Sequence, residues 1–230
     1  MKYNKVIRAK FLSRPNRFIA YCLVDGVTET VHVKNTGRCR ELLVENATVY
    51  LAVSDNAERK TKFDLIAVEK VTEMGTILIN MDSQAPNSAA YEWVASGGLL
   101  GDGATVRREV TYGNSRFDLY VENRERRAFI EVKGVTLEND GVASFPDAPT
   151  ERGIKHLGEL IAAARDGYEA YLLFVIQMKG IHTFTPNDKT HKAFGDALRE
   201  AAKSGVRVLA YDCRVLPDEI VIDLPVEIKL

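Results

Sequence analysis

Near residues 81–88 the spacing of apolar residues changes, and that change divides the chain into two unlike halves. Upstream, apolar residues fall in short runs: Lys5–Leu12, Phe18–Val24, Thr30–Val33, Ala47–Val53, Phe63–Val71 and Thr76–Asn80. Asp25-Gly26 lies between two of these runs, and this dipeptide favours a two-residue hairpin. Asn35-Thr36-Gly37 reads as a further turn, and Cys39–Val44 is expected to form a short helix. Short strands with little helix predict a small closed or partly closed barrel, such as an OB-fold.

Downstream, strands and helices alternate. Pro86, Asn87 and Ser88 offer a helix start, Ala89–Ala95 continues it, and Gly97-Gly98 stops it. A hairpin covers residues 106–133, followed by a loop over Leu137–Pro149. Thr150 is placed to cap a helix in which Ile154, Leu157, Ile161 and Ala164 recur at helical spacing and Asp166-Gly167 ends the run. Arg152, His156 and Glu159 fall on the opposite side. Ala170–Met178 is apolar enough for a buried central strand. A strand at Ile181–Thr185, a helix at Asp188–Lys203 closed by Gly205, and a strand at Val206–Cys213 follow. The tail from Glu219 is extended, with Pro225 favouring an edge. Strand, crossover helix, strand implies an α/β sheet. The expected organisation is therefore α/β with an all-β N-terminal part, residues 1–82 forming the barrel and 83–230 the α/β domain.

The chain is 230 residues long, 46% apolar and 27% charged, enough for a proper core. Its N-terminus lacks an apolar signal core, and no run is long enough to span a bilayer. Cys22, Cys39 and Cys213 are widely spaced and odd in number, which suits reduced thiols in the cytoplasm. Net charge is −1, but its distribution is uneven. Residues 1–62 hold 12 Lys or Arg against 6 Asp or Glu, and the remainder 19 against 26. A basic front and an acidic back suit a phosphate-binding module joined to a metal-binding one.

Chemistry concentrates in residues 115–133. Asp118 sits in an apolar strand, and Glu131 and Lys133 interrupt the next one. Residues two apart in a strand share a face, so Glu131 and Lys133 point together with Phe129. Two carboxylates near a lysine can hold a hard divalent cation and a phosphate. Asp118 and Glu131 are the expected ligands of Mg²⁺ or Mn²⁺, Lys133 the catalytic cation, and Glu92 a further candidate acid. The segment Phe145–Gly153 enters a helix N-terminus, where Arg152 and His156 are candidates for phosphate positioning or for supporting the metal ligands. On the barrel, Lys10, Arg14, Arg17, Asn35, Thr36, Arg38 and Arg40 are candidate nucleic-acid contacts, with Phe18 or Tyr21 as stacking surfaces. The Gly97–Gly103 run lacks the lysine of a Walker loop, no serine-hydrolase elbow is present, and the four histidines lack zinc spacing.

Several segments together resemble the sugar fermentation stimulation protein (SfsA) family. They are Asn35-Thr36-Gly37, Ser115–Asp118, Ile130–Leu137, Phe145–Ala148, Thr150–Gly153 and His156-Leu157. The resemblance spans nearly the whole chain in one order. It implies an OB-fold followed by a domain similar to the PD-(D/E)XK nucleases, with the nuclease-like motif on Asp118, Glu131 and Lys133. Phe117 stands where the superfamily's name has proline. It also implies DNA as the partner, with no membrane partner and with homo-oligomerisation left open. Two readings follow: a metal-dependent phosphodiesterase, or a non-catalytic DNA-binding regulator of maltose metabolism with a vestigial metal site.

Overall fold

A computed structural model describes residues 1–35, 37, 39–56, 58–73 and 75–230. The first half forms β1 (Val6–Ser13), β2 (Ile19–Val24), β3 (Val27–Val33), β4 (Thr48–Val53), β5 (Phe63–Thr72) and β6 (Gly75–Asn80). The strand order is β3-β2-β1-β4-β5-β6, and a parallel pairing of β3 with β5 closes five of the strands into a barrel. This is the OB-fold expected from the short-strand pattern. Alternation along each strand sends Ala9, Phe11, Ala20, Cys22, Val31, Val49, Leu51 and Val68 inward. Asp25 and Gly26 both take positive φ, the backbone of a type I′ turn, which locks β2 to β3 in register. The short helix expected at Cys39–Val44 is absent. Cys39 adopts φ +46, and the amides of Leu42 and Leu43 both donate to its carbonyl, so only one turn forms. Leu42 and Leu43 are nonetheless buried.

The second half begins with α1 (Ala85–Ala95), which has Pro86 in its first turn, where no amide is required. It continues through β7 (Thr105–Tyr112), β8 (Ser115–Asn123), β9 (Arg126–Val135), β10 (Glu138–Asn139), β11 (Val142–Phe145), α2 (Glu151–Arg165), β12 (Glu169–Ile176), β13 (Thr183–Pro186), α3 (Asp188–Lys203), β14 (Arg207–Leu216), β15 (Glu219–Pro225) and β16 (Glu227–Ile228). The main sheet has the order β15-β14-β12-β9-β8-β7. Its centre, β9-β12-β14, is parallel, and its flanks are antiparallel. Ala85, Ala89, Ala90 and Val94 of α1 pack on one face with Leu119, Ile130, Val132 and Leu173. Leu157 and Leu160 of α2, and Phe194 and Leu198 of α3, cover the other face with Phe129, Leu172 and Phe174. Residues 137–149, expected as loop, instead contain the β10–β11 hairpin of a second sheet ordered β10-β11-β13-β16. Asp140-Gly141, both at positive φ, make its turn. Among the described residues, no helix is long and apolar enough to cross a membrane.

A buried polar junction ties the barrel to the main sheet. The Gln177 side-chain amide donates to the Asn80 carbonyl (3.0 Å), Asn80 Oδ1 (3.1 Å) and the Asp82 carbonyl (3.1 Å). In return the Asn80 amide donates to the Gln177 carbonyl at 2.9 Å. Asp82 is fully buried and accepts from Tyr3 Oη (3.1 Å) and Lys34 Nζ (2.8 Å). Lys70 of β5 pairs with buried Glu138 of β10, making a second tie. Replacing Gln177 with alanine removes three hydrogen bonds from the junction, although Asn80 Oδ1 keeps the Asp82 amide and the Asp82 carbonyl keeps the Ala85 amide. The expected cost is about 1–3 kcal/mol, read as a lower urea midpoint at unchanged m. An unshifted midpoint would show that the junction does not contribute to stability.

Glu169 at the start of β12 ties its neighbouring strands together. Arg126 grips it bidentately (2.6 and 2.9 Å), and Arg207 and Tyr171 reach the same carboxylate. The Arg126 hydrogen bonds above all hold its pKa down at about 2. A depressed carboxyl pKa stabilises the fold above the ordinary value of about 4.3, and that contribution is lost as pH falls toward 2. Glu169→Gln should therefore be less stable than wild type at pH 7, by about 0.5–1 kcal/mol for a partly exposed network, and the gap should close in acid. A gap independent of pH would contradict the assignment.

Candidate functional site

The site is built where β8 and β9 part. Their ladder runs from Asn123↔Arg126 to Leu119↔Ile130 and stops. Beyond that point residues 115–117 pair with β7 alone, and residues 131–135 pair with β12 alone. Asp118 and Glu131 are the next residues on the two diverging strands, so the fork presents one carboxylate from each. Asp118 Oδ2 accepts the Val132 amide at 2.8 Å, and Oδ1 accepts Asn87 Nδ2 of α1 at 2.7 Å. Glu131 is buried, and its Oε1 accepts from Lys133 Nζ at 2.6 Å and from His156 Nδ1. Glu131 Oε2 is buried with no hydrogen-bond partner among the described residues.

Helix α2 supplies the back wall. Thr150 Oγ1 accepts the Gly153 amide at 3.0 Å, confirming the expected cap. A side chain on Gly153 would meet the Phe194 ring at 3.1 Å, so glycine lets α2 lie close to α3. One turn on, His156 faces the sheet. This corrects its expected position on the polar side of α2: the buried stripe is Gly153, His156, Leu157, Leu160 and Ala163. Arg152 Nε donates to His156 Nε2 at 3.3 Å, so Nδ1 carries the ring proton and donates to Glu131.

These contacts drive the two carboxylates apart electrically. Burial, and then the neighbouring Glu131, push the Asp118 pKa up against the opposing pull of the Val132 amide, Lys133 and Asn87. Burial also opposes charge on Glu131, but hydrogen bonds from His156 and Lys133 outweigh it and leave its pKa below the ordinary value. Two hard-oxygen carboxylates beside an ammonium can bind a divalent cation and a phosphate group. Among the described residues, no cluster of three or more His, Cys, Asp or Glu is arranged to hold a metal ion.

The remaining candidates are distributed unequally. Glu92 lies five residues beyond Asn87 on α1, is 58% exposed, and pairs with the N-terminal ammonium; it does not join the cluster. Arg14, Arg17, Asn35 and Arg40 line a cleft of about 1230 Å³ between the barrel and the α/β half. Its opposite wall is Gly134–Leu137 and Ser144–Thr150, so the cleft begins one residue beyond Lys133. Arg14 is occupied within the protein: its guanidinium donates to the carbonyls of Arg17 (2.6 Å), Asn35 (2.7 Å) and Gly37 (2.8 Å). Asn35 Oδ1 accepts the Gly37 amide at 2.7 Å, forming an Asx turn. Lys10 lies on the barrel's outer surface, bonded to the Asn46 carbonyl and Thr48. Thr36 and Arg38 lie outside the described residues. Sequence reasoning missed Asn87 and Gln177; only the helix start at Pro86 hinted at the first.

A closed OB barrel followed by an α/β sheet with a forked acidic site defines a class of two-part protein in which a mixed α/β half follows a barrel. Comparison with known proteins agrees. The model described as SfsA N-terminal OB domain matches residues 12–79, and that described as Sugar fermentation stimulation protein RE domain matches residues 84–219. The chain belongs to the sugar fermentation stimulation protein (SfsA) family. The sugar fermentation stimulation protein homolog of Clostridium beijerinckii is 56% identical over 96% of both chains. That of Ruminiclostridium cellulolyticum is 54% identical over the whole of both. The structure of Pyrococcus furiosus SfsA in complex with Ca²⁺ superposes with a TM-score of 0.87 at 27% identity, covering 100% of this chain and 98% of that one.

The Glu131 contacts predict that His156→Ala lowers stability by about 1–3 kcal/mol in thermal denaturation, because it removes a donor from a buried carboxylate. Glu92→Ala, at an exposed site, should stay within about 0.5 kcal/mol. Equal effects of the two substitutions would contradict the buried network.

Proposed function

We propose that this protein binds DNA in the cleft between its barrel, residues 1–82, and its α/β half, and hydrolyses phosphodiester bonds at the β8–β9 fork with Mg²⁺ or Mn²⁺. The observation that carries the reading is Glu131 Oε2, a buried oxygen with no hydrogen-bond partner among the described residues, on a carboxylate that Lys133 meets and that acts electrostatically on Asp118. An orphaned buried carboxylate oxygen is costly unless something binds it. The donor set is all oxygen, which suits a hard cation, and the Pyrococcus relative is described in complex with Ca²⁺. Asp118 and Glu131 would hold the ion. When bound, it supplies Lewis-acid polarisation of a phosphoryl oxygen and a water of lowered pKa.

The chain's own groups do the rest. Lys133 places a positive charge where negative charge develops on the phosphoryl group. His156, steadied by Arg152, holds Glu131 Oε1 and leaves the buried Oε2 to act as the ligand. Asn87 and the Val132 amide fix the Asp118 carboxylate on both oxygens. Arg17 and Arg40 offer cations to the nucleic-acid backbone along the cleft. The three cysteines are buried and unbridged, which suits work in the reducing cytoplasm.

Purified protein with DNA and Mg²⁺ or Mn²⁺ should cleave, and Lys133→Ala and Asp118→Ala should each slow cleavage by about 10²-fold or more. Absence of cleavage, or equal rates in wild type and Lys133→Ala, rejects the hydrolase. A second reading is favoured by the relatives' name, which refers to sugar fermentation: a non-catalytic DNA-binding regulator of sugar metabolism. DNA binding that survives Asp118→Ala and Glu131→Ala, with no turnover in any protein, would favour it.

A further inference from the structure

One surface feature near the cleft is unaccounted for by the acidic site. Phe18 follows Arg17, a residue of the cleft lining, directly in the chain and is 52% exposed, an unusual degree for a large aromatic ring. Its backbone is held on both sides. Asn16 Oδ1 accepts the amides of Phe18 (2.8 Å) and Ile19 (3.0 Å), and the Phe18 carbonyl accepts the Val33 amide at 2.8 Å. Arg14 clamps the Arg17 carbonyl from within. The loop between β1 and β2 is thus fixed by side chains that do not depend on any ligand, and it carries in consecutive positions an arginine that lines the cleft and an exposed ring.

The cleft itself is about 1230 Å³, somewhat larger than the roughly 300–1,000 Å³ of an ordinary small-molecule pocket. Among the described residues its charged lining is Arg14, Arg17 and Arg40 against Glu41 and Asp147. Its far wall starts at Gly134. A side chain there would meet Gln177 Oε1 at 2.5 Å and Pro86 at 2.7 Å, so glycine lets Gln177 and the start of α1 close on β9 where it leaves the fork. From Gly134 back to Glu131 is three strand residues, about 10 Å.

An exposed ring and a cation carried on one fixed loop are the parts that grip an unpaired base and its phosphate. A base within a duplex already has both π-faces covered by its neighbours, so Phe18 gains nothing from it. We infer that the preferred occupant of the cleft is single-stranded DNA: an unpaired base stacks on Phe18, Arg17 meets the backbone, and the strand runs along Gly134–Leu137 toward Glu131. This rests on the DNA-binding reading above and narrows its substrate class.

The test is fluorescence anisotropy of the full chain, with one labelled oligonucleotide offered single-stranded and as its duplex at the same salt. The single strand should bind about tenfold tighter or better. Phe18→Ala should weaken single-strand binding by about 5- to 150-fold, the equivalent of one stacked base, and move duplex binding by less than about twofold. Phe18→Trp should restore the preference. Because the ring is exposed, its removal leaves the core packing intact. A duplex bound as tightly as the single strand, or a Phe18→Ala protein with unchanged single-strand affinity, overturns the inference and leaves the DNA-binding reading standing. Binding of neither form overturns that reading together with the inference.

Discussion

The site exists because two neighbouring strands stop pairing one residue before their acidic side chains. Up to Leu119↔Ile130, β8 and β9 form an ordinary antiparallel ladder. Beyond it, Asp118 takes a main-chain donor for itself, accepting the Val132 amide at 2.8 Å. Had the ladder continued, Asp118 and Glu131 would face each other across a closed pair, where like charges directly opposite are destabilising. The fork opens space between them. β9 meanwhile stays fixed by its parallel pairing with β12, which extends from Glu169↔Ala128 through Ile176↔Val135. A rigid strand and a diverging one thus place two carboxylates on elements that packing already determines.

Charge at the fork is kept by neighbours with different strengths of claim. Glu131 is 2% exposed, so an isolated carboxylate there would be neutral. Lys133 from its own strand and His156 from α2 both bind Oε1, and together they overcome burial. Asp118 has only neutral donors and a distant share of Lys133, and burial with Glu131 nearby prevails. Environments that push paired carboxyl groups apart are a recurring mark of functional sites. The cleft next to them is equally determined by structure. Gln177 and buried Asp82 fix the barrel against the sheet, and Arg14 fixes the loops that face β9 across the gap.

Much of this was legible in the sequence, and the failures share a cause. The Glu131-x-Lys133 spacing gave a shared face directly, because a strand repeats every two residues. Thr150 announced its helix because a hydroxyl before an apolar repeat has a local role. Asp25-Gly26 fixed the β2–β3 register for the same local reason. His156 was misplaced because helical periodicity assigns polar residues outward, and only the buried Glu131 on another element explains why one turns inward. Cys39–Val44 reads as helix by composition, yet Cys39 takes φ +46, a conformation that no α-helix contains. Barrel closure between β3 and β5, and the roles of Asn87 and Gln177, depend on partners between 30 and nearly 100 residues away, which no local pattern encodes.

The central claim is that Asp118 and the free oxygen of Glu131 form one cation site. Anomalous diffraction from crystals soaked in Mn²⁺ tests it without recourse to activity or nucleic acid. The account predicts one strong peak at the β8–β9 fork, within bonding distance of both carboxylates and reduced in Asp118→Asn. A peak bound only elsewhere, or an empty fork in saturating Mn²⁺, would contradict it.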